Sequence, residues 1–161
     1  MTAAEIKELL RLRAHPMEGG FFRRTYTSEL CLELERGKRS AGTAIYYLLE
    51  EDTFSEMHKL PSDEIFHFYL GDPVEMLQLW PGGRTKTVVL GPDLAAGQHV
   101  QLTVPADVWQ GTRLIDKGQV ALMGCSVYPG FDFKDYTRGS YADLASKWPD
   151  QAERIRVLTR T

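Results

Sequence analysis

The 161-residue sequence lacks the features that mark several large protein classes. Its two cysteines, Cys31 and Cys125, lie far apart and outside any CxxC motif, so neither a disulfide framework nor a thiolate zinc site is predicted. No apolar run reaches the roughly 20 residues that a membrane helix requires. Charges interrupt the first apolar stretch, which is unlike a signal peptide. We therefore expect a cytoplasmic protein that does not bind membranes.

An excess of charge of one sign is also lacking. Lys and Arg total 19, Asp and Glu total 22, and the net charge is −3. Nucleic-acid-binding proteins need a cationic surface to attract phosphates, so this composition gives no reason to expect a nucleic-acid partner. Apolar residues make up 43% of the chain, an ordinary globular value. Length and composition together predict one domain over residues 1–161.

Short segments rich in β-branched and aromatic residues fill the chain between about residues 20 and 135. They alternate with clusters of Gly, Pro and Asp, which favour turns. The predicted strands are 21–28, 43–49, 54–59, 64–70, 74–80, 85–90, 99–104 and 119–127. About eight strands at intervals of roughly ten residues are typical of a β-sandwich or barrel, so the predicted fold class is dominated by β-structure.

Helices are predicted at both ends of the chain. Thr2 and Glu5 have the spacing of a capping box, and apolar residues follow at helical intervals, which predicts a helix over residues 2–13. A second such spacing begins at Ser140, and the apolar residues after it predict short helices over about residues 140–158.

The densest combination of polar and aromatic residues is FSEMHKLPSDEIFHFYLG at 54–71. It contains His58, Glu64 and His67, residue types that serve as acid–base groups or as metal ligands. Side chains alternate along a regular strand, which places Glu64 and His67 on opposite faces. We therefore expect His58 and Glu64 to share a pocket. A metal site made of His58, Glu64 and His67 would require a bulge.

The same segment resembles the first motif of the cupin superfamily, G-x5-H-x-H-x3,4-E-x6-G. His58 matches the first histidine, Glu64 the glutamate and Gly71 the last glycine. Leu60 stands where the second histidine would be, and Asp52 stands in place of the leading glycine.

The stretch VPADVWQ at 104–110 resembles the second cupin motif, G-x5-P-x-G-x2-H-x3-N. Pro105 matches, Asp107 replaces the glycine and Gln110 replaces the histidine. Cupin metal sites generally use three histidines and a glutamate, and this chain keeps only one histidine and the glutamate at those positions. Two protein ligands make a poor transition-metal site, so no cofactor is expected, and a divalent metal is the less favoured alternative.

Segments along nearly the whole chain resemble one cupin subgroup, the Cupin_5 family. Among them are HPMEGGFFRRTYTS at 15–28, GTAIYYLL at 42–49 and GCSVYPGFDFKDY at 124–136. The resemblance implies a double-stranded β-helix, the RmlC-like jelly roll, over about residues 20–135. It also implies a homodimer, and the strand face carrying Ile65, His67 and Tyr69 could pack against a second subunit. The family has no established reaction, so the resemblance implies no chemistry.

Register with the two motifs places His58, Glu64 and Gln110 at the mouth of the barrel, where cupin ligands bind. A catalytic pair of His58 and Glu64 would suit removal of a proton beside a carbonyl, as in the sugar epimerases that share the jelly roll. The ligand-binding candidates are Trp109 and Phe66 as ring surfaces, Gln110 as an amide partner, and Arg24 as a cation for a carboxylate or phosphate.

The expected function is therefore binding of a small polar metabolite, such as a sugar or nucleotide-sugar, by a metal-free isomerase or epimerase. Two other functions stay open. A metal-dependent oxygenase or hydrolase would need His67 or His99 to complete its ligand set. A binding or sensor module would use the same pocket without turnover.

Overall fold

The computed structural model describes residues 1–160 and contains two antiparallel sheets with short helices against them. Within this range thirteen strands form: β1 (Arg13–Ala14), β2 (Phe21–Thr27), β3 (Cys31–Leu34), β4 (Gly37–Ser40), β5 (Thr43–Glu50), β6 (Phe54–Lys59), β7 (Asp63–Gly71), β8 (Val74–Leu79), β9 (Thr85–Leu90), β10 (Gln101–Val104), β11 (Trp109–Leu114), β12 (Val120–Tyr128) and β13 (Thr137–Arg138). The helices are α1 (Ala3–Leu9), α2 (Tyr141–Lys147) and α3 (Ala152–Val157). Short 3-10 turns lie at Pro81–Gly83, Phe133–Asp135 and Pro149–Gln151. Among residues 1–160, no helix is long and apolar enough to cross a membrane.

The larger sheet has the order β1-β2-β5-β12-β7-β10, and the smaller sheet has the order β13-β6-β11-β8-β9. Strands β3 and β4 form a separate hairpin. Neighbouring strands such as β5 and β12 are far apart in the sequence, as in a jelly roll rather than a simple meander. The predicted β-dominated jelly roll with a helical segment at each end is confirmed.

The main core lies between the two sheets, because alternate side chains of each strand point inward. Its members are buried apolar residues that include Tyr47, Phe66, Met76, Leu90 and Met123. Two smaller clusters lie under the helices. Ile6 of α1 packs against the larger sheet, and the helices α2 and α3 pack against Met57, Leu77 and Leu79 of the smaller sheet.

The first helix is shorter than the sequence predicts. The capping box of Thr2 and Glu5 is present, but α1 ends at Leu9 and Arg11 has a φ of 52°. Residues Arg13–Ala14 then pair with β2 as β1. The prediction of helix to residue 13 was wrong because strand pairing outweighs the local helical pattern there.

The sequence also missed the β3–β4 hairpin and the central strand β11. Strand β11 includes Gln110, Gly111 and Thr112, which break the apolar alternation that marks a strand. It lies between β6 and β8 and is paired on both sides. Hydrogen bonding to these two neighbouring strands therefore stabilises β11, although its own sequence has no strand pattern.

Two positions of the cupin-like motifs take left-handed backbone conformations. Gly71, at the end of β7, has a φ of 101°, and Asp107, just before β11, has a φ of 64°. Aspartate tolerates this region better than most residues, so Asp107 fits where the motif has glycine. The backbone of the second motif is thus kept although its histidine is not.

Candidate active site

A β-bulge in β6 turns two polar side chains toward the inside of the barrel. Strand β6 pairs with β11, with Ser55 opposite Thr112 and His58 opposite Gln110. The two paired residues are three positions apart on β6 but only two positions apart on β11, so β6 contains one extra residue. In a regular strand, residues three apart point to opposite faces. The bulge instead allows Ser55 and His58 to be buried on the same side.

Glu64 and Gln110 meet inside the barrel although 46 positions separate them in the chain. Glu64 lies on β7 of the larger sheet and Gln110 on β11 of the smaller one. The Gln110 side-chain amide Nε2 donates to Glu64 Oε2 at 2.7 Å, and both residues are buried. The carbonyl oxygen Oε1 of Gln110 is buried and has no partner within the described chain.

The carboxyl group of Glu64 is held close to its titration point at neutral pH. Burial raises its pKa to about 7, and the nearby charge of Glu18 acts in the same direction. His58 and the hydrogen bond from Gln110 oppose these effects. Glu64 is therefore suited both to donate and to accept a proton near pH 7.

Glu18 stands between two histidines. Its Oε1 accepts a hydrogen bond of 2.5 Å from Ser55 Oγ. Its Oε2 is 3.9 Å from His15 Nε2 and also 3.9 Å from His58 Nε2. The His15 Nδ1 accepts the backbone N–H of Glu18 at 2.9 Å, so the proton of the neutral ring is on Nε2, facing the carboxylate. Burial lowers the pKa of His15, although Glu18 opposes this.

His58 has the opposite tautomer, fixed by its own strand. Its Nδ1 lies 2.6 Å from the carbonyl oxygen of Glu56, and a carbonyl only accepts, so Nδ1 carries the proton. The Nε2 of the neutral ring is left unprotonated on the side of Glu18. The ring stacks on Tyr136, with centroids 4.9 Å apart and an interplanar angle of 15°. The orientation of His58 is thereby fixed on two sides.

The side chain of Glu56 belongs to a separate ionic cluster. It accepts hydrogen bonds from Tyr136 Oη at 2.9 Å, Arg138 Nε at 2.8 Å and Arg160 Nε at 3.1 Å. We call Glu56, Tyr136, Arg138 and Arg160 the Glu56 clamp. The backbone carbonyl of Glu56 binds His58, and the ring of Tyr136 stacks on the ring of His58. The Glu56 clamp therefore helps to fix the orientation of His58.

A pocket opens beside these groups, at the end of the barrel. Its polar lining is His15, Glu18, Arg24, Thr43 and Glu64, and its other walls are Phe22, Ile45, Leu60, Cys125, Val127 and Phe131. About 30 Å³ is open to the centres of water molecules, and the whole empty volume out to the mouth is about 400 Å³. The interior therefore has room for only a few water molecules or one small functional group.

The structure brings together several of the predicted residues. Glu64 and Arg24 line the pocket, and Gln110 is bound to Glu64. His58 lies deeper, is 2% exposed and faces the pocket through Glu18. The groups that a ligand would touch first are therefore Glu18 and Glu64 rather than His58 and Glu64.

Two predicted ligand-binding residues do not line the pocket. Trp109 precedes Gln110 on β11 and so points to the other face, where it packs against the cluster under α2 and α3. Phe66 is 1% exposed and belongs to the main core. Trp109 and Phe66 therefore lie outside the pocket lining, because Trp109 packs beneath the helices and Phe66 packs in the main core.

The alternative metal site made of His58, Glu64 and His67 is not assembled. His67 lies on the outer face of β7, and its Nδ1 is 3.2 Å from Gln101 Nε2. Within residues 1–160, no three or more His, Cys, Asp or Glu side chains are grouped so as to hold a metal ion. Leu60 offers no donor atom, and Glu64 Oε2 already accepts from Gln110. The donor set does not fit a cupin metal, since such a site needs three or more ordered donors.

Sequence reasoning did not identify His15 and Glu18 as candidate site residues. The available signal was the pair of glycines directly after Glu18. Gly19 has a φ of 102°, and a Cβ there would overlap the carbonyl oxygen of Phe54. A turn that requires glycine at this point presses Glu18 toward β6, where Ser55 and His58 lie.

Comparison with known proteins places this fold and site in a family. Residues 4–138 match the sequence profile of Cupin_5, described as "Cupin superfamily (DUF985)". The "Uncharacterized protein YML079W" of Saccharomyces cerevisiae is 30% identical over 135 residues, which cover 74% of this chain and 67% of the yeast protein.

Solved structures agree with the match. A hypothetical protein from Leishmania major superimposes with a TM-score of 0.93 at 27% identity and full coverage of both chains. Protein SO0799 from Shewanella oneidensis superimposes with a TM-score of 0.91 at 32% identity, covering 99% of this chain and 98% of that one. A cupin 2 conserved barrel domain protein from Rhodopseudomonas palustris shares the fold alone, with a TM-score of 0.58 at 18% identity over 91% of this chain and 83% of that one. The chain therefore belongs to the Cupin_5 family of the cupin superfamily.

Proposed function

We propose that the chain binds a small polar metabolite in the mouth pocket and interconverts two isomers of it by proton transfer, without a metal. The observation that carries this proposal is the pair of carboxyl groups in the pocket, Glu64, which is buried, and Glu18, which is partly buried. The pKa of Glu64 is about 7, and Glu18 lies between two histidines. Two neighbouring carboxyl groups in such different surroundings are typical of acid–base catalysis, in which one group donates a proton and the other accepts one.

The size of the pocket supports a small reacting group. The pocket has an empty volume of about 400 Å³ but leaves only about 30 Å³ to the centres of water molecules, so it is narrow. We therefore expect only the reacting end of a ligand to enter it and the rest to lie outside. A nucleotide attached to a sugar would lie outside the barrel. The apolar walls of the pocket would exclude water from the reacting carbon.

The proposed reaction is an isomerisation through an enediol. Glu18 removes the proton from the carbon next to a carbonyl group, and protonated Glu64 donates its proton to the carbonyl oxygen. Protonated Glu18 then gives its proton to the neighbouring carbon, or to the other face of the same carbon. At the same time Glu64 takes the proton of the enediol hydroxyl that becomes the carbonyl of the product, so both groups are restored. His15 can donate to Glu18 from Nε2 and would limit the cost of charge in the pocket. No electron leaves the substrate, so no oxidant or reductant is needed.

Hydrogen exchange with solvent tests this proposal directly. The protein is incubated in D2O with a panel of small aldoses, ketoses, hydroxy acids and their phosphates, and loss of the carbon-bound proton is followed by proton NMR. We expect catalysed exchange for at least one compound. Glu18→Gln and Glu64→Gln should each slow it about 100-fold or more, because the amide keeps the shape but cannot transfer the proton.

The matched control is His67→Gln, on the outer face of the sheet that carries Glu64. It should leave the exchange rate unchanged. Equal exchange rates in the wild type and in both glutamine variants would refute the assignment of acid and base. No catalysed exchange with any member of the panel would count against turnover itself.

A second candidate function is a binding or sensor module without turnover. The observation in its favour is the Gln110–Glu64 hydrogen bond of 2.7 Å, which already occupies one carboxylate oxygen. Such a module would bind a compound of the panel, detected as a rise in melting temperature, without any exchange of carbon-bound protons.

The homodimer is likewise a proposal. Ile65, His67 and Tyr69 lie on the outer face of the larger sheet, and Tyr69 is 51% exposed. Its ring packs edge-on against Tyr46, with centroids 6.2 Å apart. Sedimentation equilibrium should give about twice the chain mass of 18.3 kDa. Tyr69→Lys should shift the equilibrium to the monomer, since two like charges would then meet across a symmetric interface.

A further inference from the structure

One cation stands at the mouth of the pocket. Arg24 lines the opening, and its guanidinium carbon lies 5.9 Å from the ring centroid of Phe131, which is also part of the pocket wall. Arg24 is exposed, and the partial loss of water around its guanidinium lowers the pKa of Arg24. An arginine held against an aromatic wall and partly removed from water binds an anion more strongly than a fully hydrated one.

The other arginines near this end of the barrel face carboxylates. Arg39 binds Asp135 at 2.7 Å, Arg138 binds Glu56 at 2.8 Å and Arg160 binds Glu56 at 3.1 Å. Arg24 forms no ion pair of this kind within residues 1–160, and Asp132 acts on it only through its charge at longer range. The guanidinium therefore has donors available for a ligand.

The interior of the pocket has the opposite character. Glu18 and Glu64 supply carboxylate oxygens there, and the charge of Glu18 raises the pKa of Glu64. A second anion placed between these carboxylates would be repelled, whereas hydroxyl groups would find acceptors. The pocket is thus cationic at the mouth and acceptor-rich inside.

We propose that the ligand is a short hydroxylated oxyanion, with its carboxylate or phosphate on Arg24 and its hydroxyl or carbonyl end at Glu18 and Glu64. This inference rests on the proposed function and names the substrate class of the same site. A planar guanidinium can bind either oxyanion through two parallel hydrogen bonds. The anionic end would fix which end of the molecule enters the barrel.

The positions of the strands limit the length of the ligand. Arg24 is on β2 and Glu64 on β7, with β5 and β12 between them. The strand pairings put Arg24 in line with Phe66, two residues from Glu64. Three strand spacings and this offset separate the Cα atoms of Arg24 and Glu64 by about 16 Å in a flat sheet, and the curvature of the barrel shortens this. Both side chains extend into the gap, which leaves room for a chain of about three or four carbons.

Binding of matched compounds tests the inference. Glycerol, glycerate and glycerol 3-phosphate have the same three-carbon skeleton but differ in the terminal group, so the last two also distinguish carboxylate from phosphate. Dissociation constants are measured by calorimetry for the wild type, Arg24→Gln and Arg23→Gln. Arg23 is the matched control, because it adjoins Arg24 on β2 and its guanidinium lies over Tyr46, outside the pocket lining.

We expect at least one of the two anions to bind about tenfold or more tightly than glycerol, because a charge-assisted pair is added. Arg24→Gln should abolish this preference, and Arg23→Gln should keep it. The preference should also decrease at higher ionic strength.

Equal affinities for all three compounds, or a preference that survives Arg24→Gln, would overturn the oxyanion inference. The proton-transfer proposal would stand in that case, because its own test is the exchange of carbon-bound hydrogen. Failure of all three compounds to bind would likewise overturn the oxyanion inference, and the exchange assay alone would then decide the proposed function.

Discussion

Two glutamates in this barrel are almost equally buried but have very different surroundings. Glu56 is 1% exposed and Glu64 is 7% exposed. Glu56 accepts hydrogen bonds from Tyr136, Arg138 and Arg160. Glu64 has one amide donor, from Gln110, and the nearby charge of Glu18 acts against its ionisation.

The difference shows why burial by itself does not identify a functional carboxylate. A buried anion with two cations and a hydroxyl is compensated and holds elements together, here β6, β13 and the segment that follows α3. A buried anion without a cation is costly when ionised, and proteins keep such groups mainly where chemistry needs them. Substitution of each glutamate, and of one partner of Glu56, tests this difference.

The largest effect on stability is expected for Glu64→Gln. The pKa of Glu64 is about 7 in the folded protein against an ordinary value of 4.5, so the folded state binds more protons between these two values. The wild type thus loses stability as the pH rises from 4.5 to 7. Since the variant does not ionise there, its free energy of unfolding relative to the wild type should increase by about 3 kcal/mol between pH 4.5 and pH 8.

Urea denaturation at both pH values measures this change. Glu153→Gln is a suitable control, because the same substitution is made at a side chain that is 89% exposed. A pH-independent difference between Glu64→Gln and the wild type would contradict the raised pKa.

An intermediate loss is expected for Glu56→Gln. The amide keeps the size of the side chain but removes the charge that binds Arg138 and Arg160, whose side chains are 55% and 42% exposed. Because both arginines can return to water, we expect a loss of about 2 kcal/mol at pH 7 rather than the larger cost of stranding a buried charge. Thermal and urea unfolding at that pH provide the measurement. An unchanged stability would show that the clamp contributes nothing.

The smallest effect is expected for Arg160→Ala. Its guanidinium binds Glu56 Oε2 at 3.1 Å and lies over Phe54. Arg160 itself is 42% exposed, and the buried Glu56 keeps Tyr136 and Arg138 as partners when Arg160 is removed. The expected loss is about 0.5 kcal/mol. Arg154→Ala is the matched control, since Arg154 binds only the hydroxyl of Thr87 in the described structure. Equal losses for the two variants would remove the special role of the ion pair.

Most of the fold could be predicted from the sequence because its strands carry strong local signals. Apolar and β-branched residues mark β5, β7 and β12, and glycine or proline marks the turns between them. Strand β11 was missed because polar residues and a glycine occupy its centre. Its place in the sheet depends on pairing with β6 and β8, which no local pattern contains.

The candidate site could be predicted only where a motif fixes the register. The resemblance to the cupin motifs led to Glu64 and Gln110, and alternation correctly placed His67 on the other face. Glu18 was missed because it precedes β2 and reaches the barrel through a turn. Trp109 lies outside the pocket lining because adjacent residues of a strand point to opposite faces, so the neighbour of Gln110 packs beneath the helices.

The bulge in β6 has a consequence for how the sequence of this protein can vary. Ser55 and His58 share a face only because one extra residue lies between them relative to β11. Deletion of a single residue at Glu56 or Met57 would restore regular alternation and turn one of the two side chains away from Glu18. In evolutionary terms, this segment can change by substitution but not by length, so a scan of single-residue deletions should find it among the least tolerant parts of the chain.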